Sequence, residues 1–312
     1  MKKYDRNKMR QLFLGSKERR GILPTIALYV ILIGLAFVFL YPLLYMIVNA
    51  FFSPEDLTNP SVTWIPTKLY FGNFVQAYYT LDFFRSFGMS VFLSVVPSLL
   101  QLISCSLVGF GLARFEFPLK KLWLVLVVAT FMVPTLVLRI PRYLMYYYYG
   151  MLDTVLPTIL PAAFGQGLRS TIFILIFFAF FSSYPLSFDE AASLDGANRF
   201  TIYRKVALPA ASGAIVLCLL FSFVWYWNET SDLSLFAPNI FTLPQQLRMF
   251  STKFSDLYGG DGAMAGGESV RTLNSSIELA GTMLSILPTV ILYLVLQKQF
   301  VESVERSGIT GE

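Results

Sequence analysis

The residues best placed to do chemistry in this chain lie in one charged stretch, SFDEAASLDGANRFTIYRKVALP, Ser187 to Pro209, set between two long apolar runs. Ser187 and Glu190 have the S-x-x-E spacing of a capping box. Asp189 and Glu190 would stand in the first turn, where the helix dipole favours negative charge. The spacing predicts a short helix from Ser187. Phe188, Ala191, Ala192 and Asp195 share one face of it, and the alanines keep that face shallow enough for another surface to approach. Gly196 offers the left-handed conformation that ends such a helix, and a second segment from Phe200 leads to Leu208 and Pro209. The chemistry on offer is charge-assisted docking. Two readings stay open on these residues: a handle for another protein, or an amphipathic connector lying on anionic headgroups through Arg199, Arg204 and Lys205.

Bond-making chemistry has little to work with. The 312 residues include no histidine, the side chain most used for acid–base work near neutral pH and the commonest metal ligand. Cys105 and Cys218 each sit inside an apolar run, where a free thiol behaves as a small hydrophobe. No G-x-x-x-x-G-K-[ST] stretch is present to cradle a nucleotide phosphate. The GGDGAMAGG segment, Gly259 to Gly267, has neither the following Lys-Ser/Thr nor a strand before it, and reads as a flexible loop. A lipid hydrolase buried in a membrane would need a nucleophile and base at matching depth, and the apolar runs carry no histidine or carboxylate.

The elements that must position the charged stretch are apolar. Hydrophobic residues make up 55% of the chain and charged residues 14%, against about 45–50% and 25% for a soluble domain, so part of its solvent is lipid. Six stretches free of Asp, Glu, Lys and Arg approach the roughly 20 residues needed to cross a bilayer: Gly21 to Pro54, Ser86 to Ala113, Leu122 to Leu138, Ser170 to Phe188, Val206 to Asn228 and Leu279 to Gln297. The uncharged Thr154 to Leu168 run is interrupted by Pro157, Pro161, Gly165 and Gly167, which suits an interfacial or re-entrant lead into the fourth span; a seventh short span is the alternative. With both ends inside, one face gathers sixteen of the 24 Lys and Arg residues, as basic flanks of a cytoplasmic side require. Topology thus accounts for the net charge of +5, with no nucleic-acid partner. Tyr146 to Tyr149 would form an interfacial aromatic belt or a sugar-stacking surface.

The expected architecture is all-α: a polytopic membrane protein with six transmembrane helices. Residues 1–23 form a basic cytoplasmic segment, 24–301 the membrane domain containing the cytoplasmic loop 182–209, and 302–312 a cytoplasmic tail.

In the charged stretch, Glu190-Ala191-Ala192, Gly196 four positions after Ala192, and the Val206 to Leu208-Pro209 ending resemble the EAA loop of binding-protein-dependent ABC importer permeases. Val206 in place of isoleucine is the one departure. Trp225-Tyr226-Trp227-Asn228-Glu229, Thr242-Leu243-Pro244 and the last span are similar to the maltose/oligosaccharide branch, and the likeness runs from Pro24 to the end. The resemblance implies the type I ABC importer permease fold in the cytoplasmic membrane of a prokaryote. It also implies these partners: a second, related permease in a heterodimer, two ATP-binding subunits that hold ATP and Mg while this chain holds no cofactor, and an extracytoplasmic solute-binding protein. Asp189, Glu190, Ala191, Ala192, Asp195, Gly196, Leu208 and Pro209 would then couple to the ATPase. Gly308, Ile309, Thr310 and Gly311 would reach into it, unless the tail is simply a solvated end.

Spans without ionisable residues speak against a proton-coupled carrier and for an uncharged solute. Asn49, Gln101, Trp225, Tyr226, Trp227 and Asn228 could offer hydrogen bonds and ring faces to a sugar, or else pack helix against helix. An amino-acid or phosphate importer, or a carrier working without ATP, are the competing functions.

Overall fold

A computed structural model describes residues 21–259 and 273–309, with side chains through residue 298. The basic N-terminus, most of the Gly259 to Gly267 segment, Thr310 and Gly311 lie outside the described residues. What is described is helical, without a strand. The chain forms two compact units. One runs through Ala77 and includes Leu273–Met283; the other begins at Tyr78 and resumes at Leu284.

In the first unit, α1 (Ile22–Ala50) is long and apolar throughout and buries only Asn49 and Ala50. A short helix, α2 (Pro54–Thr58), follows it and starts on a full capping box between Ser53 and Asp56. Asn73, at the start of α3 (Gly72–Thr80), donates to the carbonyls of Ala50 and Phe52 and ties the end of α1 to the chain that returns.

The second unit is built on α4 (Phe83–Arg114). One face of this helix carries small or polar residues at helical spacing: Ser86, Ser90, Ser94, Ser98, Gln101, Cys105 and Gly109, all buried or closely packed. Small residues let helix backbones approach where lipid supplies no hydrophobic drive between helices. A β-carbon at Gly109 would stand 2.6 Å from that of Phe177, so α8 (Ser170–Ser183) packs directly on the α4 backbone. Next come α5 (Lys120–Met132), α6 (Arg139–Tyr148) and α7 (Leu156–Ala163). Helix α9 (Ser187–Leu194) follows α8, and α10 (Arg199–Ala210) precedes α11 (Ser212–Trp227). The unit closes with α12 (Ser231–Phe236), α13 (Leu243–Arg248), α14 (Phe250–Tyr258) and the greater part of α15 (Ser275–Ile309). Its core joins Phe110 on α4, Phe173, Phe177 and Phe181 on α8, Ile202 and Tyr203 on α10, and Cys218 on α11.

The six expected spans map onto these helices unevenly. Among the described residues α1, α4 and α15 are each long and apolar enough to cross a membrane, and the bent pairs α8/α9 and α10/α11 raise the number to five. The third stretch gives only the 13 residues of α5, about 20 Å of rise. Pro134 is the reason: the residue before a proline is driven out of the α region, and Val133 is extended. Pro185 acts likewise on extended Tyr184, ending α8 at Ser183 rather than Phe188. The Thr154 to Leu168 run contains the eight-residue α7 packed on α4, a lead into α8 rather than a seventh span. Of the tyrosine row, Tyr146 is buried against Phe236, whereas Tyr147, Tyr148 and Tyr149 are exposed.

Candidate functional site

The charged stretch folds as a helical hairpin, α9 and α10, turned away from the helices on either side. The angle is 75° between α8 and α9 and 79° between α10 and α11. The capping box foreseen for Ser187 does not form. Pro185 starts the turn earlier, so Leu186 is the N-cap, its carbonyl accepts from the Asp189 and Glu190 amides, and Ser187 already lies inside the helix. The other end is as expected. Gly196 adopts φ +83°, its amide donates to Ser193 and that of Ala197 to Ala192, which together make a Schellman closure. Space around Gly196 is open, so what the position demands is the backbone conformation. Asn198 caps α10 by accepting from the Thr201 amide at 2.8 Å.

A π-helical turn, Tyr203–Ala207, interrupts α10 just before Pro209. The wider turn accommodates a ring that can donate no hydrogen bond and would clash with a regular preceding turn. Leu208 packs on the core and Pro209 is exposed.

The hairpin has two faces. Glu190, Ala191, Asp195, Leu186, Phe188 and Leu194 are exposed, with Leu194 at 89%. Ala192 is half-buried against the core together with Ala197, so the shallow outer face is narrower than the sequence pattern implies. Asp189 lies on the inner face and is buried.

Sequence reasoning missed the partners of Asp189. Arg114, the last residue of α4, approaches it with Nε 3.4 Å from Oδ2, and both side chains are nearly free of water, at 4% and 6% exposure. The Tyr184 hydroxyl donates to Asp189 Oδ1. Arg114 Nη2 donates to the Tyr184 carbonyl at 2.7 Å, and its Cζ lies 3.8 Å from the centre of the Tyr184 ring. A second tie joins α10 to the same helix: the Tyr203 and Ser106 hydroxyls are 2.7 Å apart. Neither Arg114 nor Tyr203 carries a local signal of its role, since a basic residue ending an apolar run and an interfacial tyrosine are both ordinary.

Within the second unit, the five candidates for a solute path found there do not share one site. Asn49 belongs to the first unit, where its amide donates to the Tyr45 carbonyl. Gln101 donates to the Leu168 carbonyl at 2.7 Å, and Tyr226 accepts from the Leu168 amide at 3.1 Å. These two side chains brace the turn into α8, and a β-carbon at Gly167 would overlap the Tyr226 hydroxyl. Trp225 stacks on Phe173 and beneath Arg169. Trp227 and Asn228 line a cavity of about 360 Å³, with Arg248, Ser285 and Thr289 among its other walls. Gly308 and Ile309 end α15.

Residues 105–306 match the family described as a binding-protein-dependent transport system inner membrane component. The arabinooligosaccharides transport system permease protein AraQ of Halalkalibacterium halodurans is 26% identical over 282 residues, covering 89% of this chain and 93% of that protein. The polygalacturonan/rhamnogalacturonan transport system permease protein YtcP of Bacillus subtilis is 26% identical over 286 residues, 91% of this chain and 97% of its own. Among solved structures, a chain from the crystal structure of a bacterial ABC transporter involved in the import of the acidic polysaccharide alginate superposes with a TM-score of 0.74. It is 23% identical, with 88% of this chain and 96% of that one covered, and the two share a fold.

Proposed function

The chain belongs to the family of binding-protein-dependent transport system inner membrane components, and from that premise we propose that it is the permease subunit of an ABC importer for an oligosaccharide. The relatives' names support a sugar as solute: arabinooligosaccharides, polygalacturonan/rhamnogalacturonan and, for a Streptomyces coelicolor relative, diacetylchitobiose. One observation carries the coupling part of the reading. The α9–α10 hairpin presents Glu190, Ala191 and Leu194 outward while its inner face is pinned, which is the shape of a handle.

In this reading α9 seats in an ATP-binding subunit on the cytoplasmic side, and Glu190 makes a charge-assisted contact there. Gly196 sets the turn that presents α9, and Leu208 and Pro209 carry α10 into α11. Closure of the ATPase on Mg-ATP then moves the hairpin and re-exposes a central path from one side of the membrane to the other. The ATPase pair is joined by a second, related permease and an extracytoplasmic solute-binding protein that delivers the sugar. Both ends of this chain lie in the cytoplasm of a prokaryote, with Gly308 to Gly311 close to the ATPase. Trp227 and Asn228 contribute ring face and amide to the solute path from the wall of their cavity.

Gentle extraction of the tagged chain tests this directly. One related membrane subunit and an ATP-binding subunit should co-purify, and Glu190→Ala should lose the ATPase while keeping the second permease. Retention of the ATPase by the variant, or its absence beside the parent chain, overturns the assignment.

A further inference from the structure

The hairpin is covalently continuous with α8 and α11, yet both junctions are sharp bends, at 75° and 79°. Its firm side-chain ties run elsewhere. Asp189 of α9 is held by Arg114, and Tyr203 of α10 is bonded to Ser106. Arg114 and Ser106 both belong to the last turns of α4. The Arg114 guanidinium also lies over the Tyr184 ring and donates to the Tyr184 carbonyl, so the extended residue that links α8 to α9 is fixed to α4 as well. Phe110, one turn before Arg114, stacks on Tyr203 with ring centres 5.2 Å apart.

We propose that Asp189 and Tyr203 are positioning residues that clamp the hairpin to the C-terminal end of α4, making α4 the helix that receives the motion of the docked ATPase. This rests on the coupling reading above. It assigns Asp189 a different task from its neighbour Glu190: Glu190 meets the partner, and Asp189 transmits.

The physical reason is stiffness. A bend at an extended Tyr184 can flex about two backbone dihedrals, whereas a buried ion pair with two further hydrogen bonds has nowhere to relax without exposing charge to an apolar surround. The π turn contributes by shaping α10 where Tyr203 meets Ser106. Helix α4 is also the element on which α7, α8 and α11 all pack, so a displacement at its end is felt through most of the second unit.

The test uses the assembled transporter in lipid nanodiscs, with spin labels at Leu99 on α4 and Leu194 on α9, both exposed positions. Mg-ATP with vanadate is the probe. If the clamp holds, the Leu99–Leu194 distance stays narrow and unchanged between the nucleotide-free and trapped states. The combined Asp189→Asn and Tyr203→Phe variant should broaden it and weaken ATP-driven movement of α4 by about two- to thirtyfold, the range seen for residues inside coupling networks. Tyr203→Phe alone, which removes one oxygen, should give a smaller change of the same sign. A parent distance that shifts on trapping, or a double variant with the parent's narrow distribution, overturns the proposal. Shielding of the Leu194 label from a water-soluble nickel chelate by the ATPase reports separately on docking. Shielding with a shifting distance rejects the clamp and keeps the coupling reading; no shielding rejects the coupling reading itself.

Discussion

Two clusters of arginine, aspartate and aromatic rings brace connections in the second unit, and water separates their behaviour. Around Asp189, the Arg114 and Asp189 side chains are 4% and 6% exposed. Around Asp232 at the start of α12, Arg142 binds at 3.0 Å and Arg139 at 3.6 Å, but the three side chains are 21% to 35% exposed. The rings are similar too: Arg142 lies over Phe236 as Arg114 lies over Tyr184. The same residue types therefore make a rigid joint in one place and an adjustable brace in the other, because a half-wet ion pair can exchange its partner for solvent.

Substitutions can break or sharpen that contrast. Asp189→Ala leaves a buried guanidinium uncompensated and should cost about 3–5 kcal/mol, read as a large loss of thermal stability in the purified complex. A cost near that of an exposed pair would erase the distinction. Gly167→Ala pushes a methyl into Tyr226 where Gln101 and Tyr226 hold the turn into α8, and should cost about 1–3 kcal/mol by the same assay. Gly196→Val meets open space but forces a branched residue to φ +83°, so about 1–2 kcal/mol of backbone strain should weaken coupling of hydrolysis to uptake, with Ala192→Ser much milder. Equal coupling in those two variants would refute the role of the left-handed turn. Smallest of all, Asp232→Ala should cost about 1 kcal/mol or less and vary with salt, where Asp189→Ala should not.

The outer face of the hairpin shows how far local pattern reaches. The end of α9 at Gly196 was legible from residues within one turn, whereas the second segment, expected from Phe200, starts at Arg199 on an Asn198 cap. The start of α9 at Ser187 agrees with the local pattern, but its cap does not: Leu186 is the N-cap, one residue earlier, because Pro185 competes with the Ser187 capping box and a fixed φ outweighs a side-chain bond. The alanine spacing implies a face shallow enough for another surface to approach, and Ala192 on that face meets the core of this chain; spacing says which residues share a face and not what lies opposite. For the solute-path candidates, hydrogen-bonding capacity was visible in Gln101 and Tyr226. That both spend it on Leu168, far along the chain, was not.

Composition and run length determined that this chain lives in a membrane as helices, since the need to satisfy backbone groups without water allows few alternatives. Pro134 and Pro185 break the third and fourth runs by local chemistry that counting uncharged residues passes over, and the Gly196 turn is local chemistry too. Only the folded arrangement decided that Asp189 faces inward to Arg114, seventy residues upstream of Tyr184, and that Glu190 beside it faces out. Adjacent carboxylates on a helix point about 100° apart. Which of them meets protein and which meets solvent depends on where another helix ends, and no stretch of neighbouring sequence contains that.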